Sequence, residues 1–119
     1  MSDSPVIDPQ AIENLRALNP GDNDEFLREI AGIFLEDTPQ RIAELDSSLA
    51  AGDLGKFTRA AHSIKGSSAN LGAATLRAAA EKLEHHARTH GLTDAAALIA
   101  AVKTEFARAE TELRRLIAK

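Results

Sequence analysis

The chain has 119 residues, of which 44% are hydrophobic, with a formal net charge of −4 and no cysteine. This length suits one domain with a single hydrophobic core, and the lack of cysteine excludes disulfide bonds and thiolate chemistry. The 14 basic residues are scattered along the chain, whereas a nucleic-acid-binding surface needs concentrated positive charge, so we expect no nucleic-acid partner.

The N-terminal stretch MSDSPVIDPQ does not have the pattern of a signal peptide. It lacks the basic region and the apolar run of a signal peptide. No apolar stretch of the sequence approaches the roughly 20 residues of a membrane span. We therefore expect a cytoplasmic protein with no membrane partner, in which residues 1–7 form a flexible N-terminus.

Capping and breaking residues predict a short first helix and a long second one. Asp8 before Pro9 is typical of a helix start, and this short helix ends at Asn19. The apolar spacing then predicts a helix over 23–51. Pro39 interrupts it, which favours a kink and leaves two separate helices as the alternative.

Three further helices are predicted over 54–71, 74–90 and 94–118. Asp53 caps the first of them, Gly72 suits its end, and Thr93 or Asp94 caps the last. Short connections favour antiparallel neighbours. The sequence thus predicts one all-α domain over 1–119, a monomeric up-down-up-down four-helix bundle with an additional short N-terminal helix.

The third helix carries a histidine that the helical geometry places outside the core. At roughly 100° per residue, His62 lies roughly 130° from the mean direction of the apolar stripe. Lys65 and Ala69 project on the same side, and Thr58 and Arg59 lie one turn earlier. A solvent-exposed histidine without a function is the alternative. Gly66 argues against it, because a surface helix gains nothing from glycine unless another molecule must come close.

The residue types of this patch suit phosphoryl transfer. A neutral imidazole is a nucleophile near pH 7, and its attack on a phosphoryl group gives phosphohistidine. Lys65 supplies a mobile positive charge. Ser67 and Ser68 carry hydroxyl donors, although Ser68 is expected to face inward. The sequence has no glycine-rich phosphate loop for ATP. We therefore expect half of an active site, completed by a partner protein.

The motif resembles the histidine-containing phosphotransfer (HPt) domain of bacterial multistep phosphorelays, which reads His-x-x-Lys-Gly, then small residues and Leu-Gly. The matching residues are His62, Lys65, Gly66, Ser67, Ser68, Leu71 and Gly72. The likeness extends over essentially the whole chain, including the segments Phe34 to Pro39, Ala60-Ala61 and Leu83-Glu84.

The resemblance implies a phosphoryl carrier rather than an enzyme. His62 would accept a phosphoryl group from the aspartate of one response-regulator receiver domain, or of a hybrid sensor histidine kinase, and pass it to another receiver. Lys65 would stabilise the phosphoryl group, and Gly66 would give the partner clearance. Magnesium would belong to the receiver, so no cofactor or metal of the chain's own is expected. Phe34 and Leu35 would join Thr58, Arg59 and Ala69 in the partner-binding surface.

Two other functions are compatible with the sequence, and α-helical spacing also produces a second histidine cluster. A chemotaxis-type histidine kinase uses a similar bundle as its phosphoacceptor module, and a purely scaffolding bundle would leave His62 incidental. His86 and His90 are four residues apart, a spacing that can bind a metal. Because no carboxylate or cysteine accompanies them, a solvated helix end that also contains His85 is the preferred interpretation. Glutamates of the last helix are expected to pair with its arginines.

Overall fold

The computed structural model describes residues 6–118, and these contain helices and no strand. The elements are α1 (Pro9–Leu18), α2 (Glu25–Ala51), α3 (Leu54–Asn70), α4 (Ala74–His90) and α5 (Ala96–Ile117). Helix α3 packs against α2 and α4, and α5 closes the bundle against both of these neighbours. The predicted all-helical bundle with an additional N-terminal helix is confirmed. No helix within residues 6–118 has the length and apolar character needed to cross a membrane.

Aspartates satisfy exposed amide groups at the start of α1 and α3. Asp8 accepts from the amide of Gln10 at 3.0 Å, and Asp53 accepts from the amide of Lys56 at 3.1 Å, as expected of N-cap residues. Helix α5 differs from the sequence expectation. It begins at Ala96 with no side-chain cap, so neither Thr93 nor Asp94 caps it. The preceding turn extends through Asp94, whose φ of +58° is not helical.

Helix α2 is continuous through Pro39, so the alternative of two helices is wrong. Proline within a helix costs about 3 kcal/mol or more, through the lost hydrogen bond and a clash with the preceding turn. Packing on both sides of the proline offsets that cost. The buried residues of the helix are Leu27, Ala31, Phe34, Thr38, Ile42, Leu45 and Ser48.

The core is built from one apolar stripe per helix, with many alanines that allow the helices to approach closely. Phe34 of α2 and Phe106 of α5 meet inside it with ring centroids 5.8 Å apart, which is within the usual range for aromatic pairs. The larger fully buried side chains include Phe57, Leu27, Leu45, Ile64, Leu76, Leu83 and Leu113.

The N-terminal segment is fastened to the turn between α3 and α4. Residues 1–5 lie outside the described part of the chain, but Ile7 is buried in the core. The amide of Asp8 donates to the carbonyl of Gly72 at 2.7 Å. The expectation of a flexible terminus through residue 7 is therefore wrong at Ile7, because this side chain gains apolar contacts there.

Gly72 makes this close approach feasible. Its φ is +69°, a backbone conformation that favours glycine. A Cβ atom at this position would also overlap the side chain of Ala11. Gly72 thus ends α3 and seats α1 on the bundle.

Candidate functional site

His62 projects from the outer flank of α3, where helical spacing places it. The opposite face of the helix is buried and comprises Phe57, Ala60, Ala61, Ile64 and Ser68. The His62 side chain is 64% exposed. Its imidazole is therefore open to a partner molecule on one side.

On its other side the imidazole contacts a buried carboxylate of α4. Nδ1 of His62 lies 2.9 Å from Oε2 of Glu84, and only 6% of the Glu84 side chain is exposed. An ionised carboxylate accepts hydrogen bonds and donates none, so Nδ1 must carry the proton. In the neutral ring, Nε2 then holds the lone pair.

Glu84 also binds two cations. The Nζ atom of Lys65 lies 2.8 Å from Oε1, and Nη2 of Arg88 lies 2.7 Å from Oε2. Lys65 is only 29% exposed. The expectation that Lys65 is a mobile charge therefore does not describe this structure, because the buried carboxylate holds its ammonium group.

Opposing effects determine the charge of Glu84. Burial raises the pKa of its carboxyl group, while hydrogen bonds from Lys65, Arg88 and His62 lower that pKa. The lowering is larger in sum, and the pKa falls from the ordinary 4.5 to about 2. Glu84 therefore remains a carboxylate at neutral pH and holds the His62 ring in one tautomer.

Gly66 lies on the exposed surface one turn after His62. A Cβ atom built at this position would meet no other atom within 4 Å. Neither packing nor a positive φ requires glycine here, although glycine costs about 1 kcal/mol in a helix interior. The chain's own structure gives no reason for this glycine.

The serines after Gly66 use their hydroxyl groups within the helix. Ser67 donates to the carbonyl of Ser63 at 3.1 Å, and Ser68 donates to the carbonyl of Ile64 at 2.6 Å. Ser68 is fully buried. The inward orientation expected of Ser68 is confirmed, and the expectation that Ser67 offers a free hydroxyl donor at the site does not describe this structure.

A cleft of about 370 Å³ adjoins the imidazole between α3 and α4. It is lined by Thr58, Arg59, His62, Ser63 and Arg88. The helical spacing brings Thr58 and Arg59 beside His62, as predicted, while Arg88 reaches the cleft from the neighbouring helix. Ala69 is exposed further along α3.

The predicted docking residues of α2 require a correction. Phe34 is only 3% exposed and belongs to the core, and Leu35 is partly buried against that core. Ile33 is the exposed apolar residue of this turn, at 60%. One helical step of about 100° separates Ile33 from Phe34, and the packing of Phe34 on Phe106 decides which of them faces inward.

Ile33 borders an apolar groove of about 150 Å³ between α2 and α3. The groove also includes residues of the α3 turn that follows Gly66, so it lies next to the candidate site. Its lining residues are Ile30, Ile33, Phe34, Asp37, Ser67, Asn70 and Leu71.

The sequence reasoning missed Glu84 and Arg88 as site residues. A signal was present, because Glu84 falls on the buried stripe of α4 together with Ala80, Leu83 and Ala87. A carboxylate on such a stripe is rarely buried unless it is paired, which indicates a cationic partner on an adjacent helix.

The histidines of the second cluster make contacts within the chain. His86 Nε2 lies 2.5 Å from the carbonyl oxygen of Thr93, and the rings of His86 and His90 stack with centroids 5.1 Å apart. Within residues 6–118, no three His, Asp or Glu side chains are grouped to hold a metal ion. The expected pairs on α5 are present as Arg108–Glu105, Arg114–Glu110 and Arg115–Glu112.

The four-helix bundle with an exposed imidazole beside a lysine and an open glycine fits the histidine phosphotransfer class of proteins. The Hpt domain family model matches residues 29–112. The chain belongs to the Hpt domain family, whose members are phosphotransfer carriers, and these similarities support a histidine phosphotransfer function in phosphorelays.

Individual relatives agree with this assignment. The crystal structure of histidine-containing phosphotransfer protein B from Pseudomonas aeruginosa is similar with a TM-score of 0.84 and 31% identity, covering 94% of each chain. A maize histidine-containing phosphotransfer protein shares the fold with a TM-score of 0.78 and 24% identity, over 98% of this chain and 91% of that one.

A curated relative, multistep phosphorelay regulator 1 from Schizosaccharomyces pombe, is 31% identical over 86 residues, or 72% of this chain. The match spans 29% of the length of that relative. The similarity therefore leaves most of the yeast protein unmatched.

Proposed function

We propose that Nε2 of His62 accepts a phosphoryl group from the aspartyl phosphate of one receiver domain and passes it to the aspartate of another. The observation that carries this proposal is the 2.9 Å contact between His62 Nδ1 and Glu84. It keeps the proton on Nδ1 and leaves the Nε2 lone pair as the nucleophile.

The transfer step needs no proton to leave the ring. The Nε2 lone pair forms the N–P bond while the P–O bond to the aspartyl oxygen breaks, and the aspartate carboxylate leaves with that electron pair. The Nδ1 proton stays in its hydrogen bond to Glu84, whose negative charge balances the phosphoimidazolium. Transfer to the next receiver follows the same path in reverse.

Lys65 and Gly66 have separate roles in this proposal. The ammonium group of Lys65, held beside the ring by Glu84, stabilises negative charge on the phosphoryl oxygens during transfer. Gly66 gives the partner's loops clearance next to Nε2, since nothing in the chain itself occupies that space.

The magnesium ion that receiver chemistry uses belongs to the partner in this proposal. Glu84 supplies the carboxylate in contact with His62, and its oxygens lie within 2.7–2.9 Å of Arg88, Lys65 and His62. A buried carboxylate already bound by cations does not fit a divalent metal. The proposed transfer therefore uses no metal held by this chain.

The proposed partners are response-regulator receiver domains and the receiver of a hybrid sensor histidine kinase in a bacterial, cytoplasmic phosphorelay. The chain acts as a monomeric, stoichiometric carrier rather than as an enzyme. Ile33 and the apolar groove it borders form the docking surface on one side of His62, and Thr58 and Arg59 contribute on the other side. The 60% exposure of Ile33 supports this assignment, since exposed apolar residues beside a site are typical of interaction surfaces.

Label transfer from a phosphorylated receiver tests the proposal. The protein is mixed with a receiver that carries ³²P, and acid-labile label on the protein is followed. His62→Gln should abolish the label, whereas the control His85→Gln, an exposed histidine of α4, should retain it. Label that persists in folded His62→Gln protein would overturn the proposal.

A further inference from the structure

The cleft beside His62 is lined by basic and neutral residues. Arg59 and Arg88 lie on its two sides, and its other lining residues are Thr58, His62 and Ser63. A phosphoryl group on His62 would place a charge of −1.5 to −2 and three strong acceptor oxygens next to this cleft. The positive charge of the lining is therefore complementary to the negative charge of a phosphoryl group.

Arg88 has donor capacity to spare. Its Nη2 lies 2.7 Å from Oε2 of Glu84, the same oxygen that accepts from His62. A guanidinium group has five N–H donors in a planar fork that suits phosphate oxygens. The remaining donors of Arg88 are thus next to the imidazole.

The hydrogen bond between Arg88 and Glu84 can be replaced by another contact of Arg88. The Arg88 side chain is 60% exposed, whereas Glu84 is 6% exposed, so the guanidinium group can turn toward the cleft without being moved out of the protein interior. Without Arg88, the buried Glu84 would keep Lys65 on Oε1 and His62 on Oε2. Exchange therefore leaves no unpaired charge in the interior.

We propose that Arg88 is a phosphoryl-binding residue, which leaves Glu84 and binds the phosphoryl oxygens once His62 carries the group on Nε2. This inference rests on the proposed phosphorylation of His62 and adds a second cation to Lys65. Arg88 thus binds Glu84 in the unphosphorylated protein and the phosphoryl oxygens in the phosphorylated protein.

Phosphoramidate allows a test without any receiver domain. His62 Nε2 bonds to its phosphorus while the P–N bond of phosphoramidate breaks and the ammonio group leaves as ammonia. The phosphorylated protein is then titrated by ³¹P NMR, and the loss of phosphohistidine is timed at neutral pH. Phosphorylated His62 is identified by its absence from His62→Gln protein.

Removal of Arg88 should change both readouts. A guanidinium beside the phosphoryl group favours its dianion, so Arg88→Gln should raise the pH midpoint of the ³¹P resonance by about 0.5 unit. The same cation withdraws electron density that would otherwise expel the imidazole. Arg88→Gln should therefore shorten the phosphohistidine lifetime by about threefold or more, and Arg88→Lys should restore part of it because it keeps the charge without the fork.

Arg114→Gln is the matched control. It removes an Arg–Glu pair with the same i, i+4 spacing and a 63% exposed arginine, on α5 outside the cleft, and it should leave midpoint and lifetime at wild-type values. If Arg88→Gln also keeps both values, the inference is wrong while the proposed function stands. If phosphoramidate puts no group on His62 of the wild-type protein, the proposed function fails first.

Discussion

His62 and Glu84 lie 22 positions apart in the chain, and a 2.9 Å hydrogen bond joins Nδ1 of the imidazole to Oε2 of the carboxylate. This contact decides which ring nitrogen faces the partner. The same carboxylate draws Lys65 to the site. One buried acid on α4 thus organises the functional groups that α3 presents.

Replacing Glu84 should disorganise the site without unfolding the bundle. Glu84→Ala removes the acceptor for Nδ1, so the His62 ring should change from one tautomer to a mixture, which ¹⁵N chemical shifts report. We expect a loss of about 1–2 kcal/mol in the free energy of unfolding, typical of a buried hydrogen-bonded group whose partners can turn to water. Glu110→Ala removes an exposed pair on α5 and should cost less than about 0.5 kcal/mol. A single retained tautomer in Glu84→Ala would contradict the role given to this carboxylate.

The stability that Glu84 contributes should depend on pH. Its pKa in the folded protein is about 2, below the ordinary 4.5, so the unfolded chain binds the proton more readily. The contribution is therefore fully present above about pH 5 and is lost as the pH falls through 4.5 toward 2. Urea unfolding of the wild type and of Glu84→Gln should give a difference that is constant near neutrality and shrinks on acidification. A difference that stays unchanged down to pH 2.5 would show that Glu84 is not the group involved.

Gly66→Gln should separate folding from transfer. The position is open in the structure, so the folded protein should gain about 0.5–1 kcal/mol of stability from the better helix former. Phosphoryl transfer from a receiver should slow by about tenfold or more, because the side chain occupies the space reserved for the partner. Rapid-quench measurements of label transfer provide the rate.

Gly32→Gln supplies the control for this prediction. Gly32 is also a helical glycine with no atom within 4 Å of a built Cβ, but it lies on α2 outside the cleft and the groove. The substitution should bring a similar gain in stability and normal transfer. Equal transfer rates for the two variants would refute the explanation of Gly66.

Ile33→Ala tests the docking surface. Because Ile33 is 60% exposed, its truncation should change stability by less than about 0.5 kcal/mol. It should weaken binding of a cognate receiver by about tenfold, or about 1.4 kcal/mol, as measured by titration calorimetry. Leu18→Ala removes an exposed apolar side chain on α1, 70% exposed, and should leave affinity unchanged. An unaltered affinity for Ile33→Ala would show that Ile33 is not part of the docking surface.

Gly72→Ala should destabilise the protein by more than Gly52→Ala does. Both glycines have a positive φ, +69° and +71°, but only the Cβ at Gly72 overlaps Ala11 and approaches Asp8. The backbone term alone costs about 1–2 kcal/mol. Thermal unfolding should show this loss for Gly52→Ala and a larger one, with displacement of α1, for Gly72→Ala. Equal losses of stability in the two variants would mean that α1 moves away from the new Cβ at no cost, which would contradict the prediction.

Features set by local pattern could be predicted from the sequence. The spacing of apolar residues located the helices to within a few residues, and the 100° step placed His62 on the outer flank. Asp8 and Asp53 are caps because their hydrogen bonds involve residues two and three positions away. Each of these inferences depends on neighbours along one helix.

Features that depend on contact between helices could not be predicted in the same way. Arg88 and Glu84 reach His62 through the packing of α4 on α3, and no spacing within one helix specifies that contact. The sequence also could not show that Ile33, rather than Phe34, is the exposed residue, because both side chains fit the apolar stripe of α2. The phenylalanine faces inward because Phe106 on α5 receives it.

The placement of His62 between the cleft and the groove has a kinetic consequence. In the proposed relay, every partner that exchanges a phosphoryl group with Nε2 must cover the same side of α3, so a donor and an acceptor cannot be bound together. Transfer between them is then a double displacement, with the first receiver released before the second arrives. The rate of phosphoryl transfer between the two receivers then depends on how quickly the first receiver dissociates from the surface around His62. An excess of either receiver slows the overall exchange.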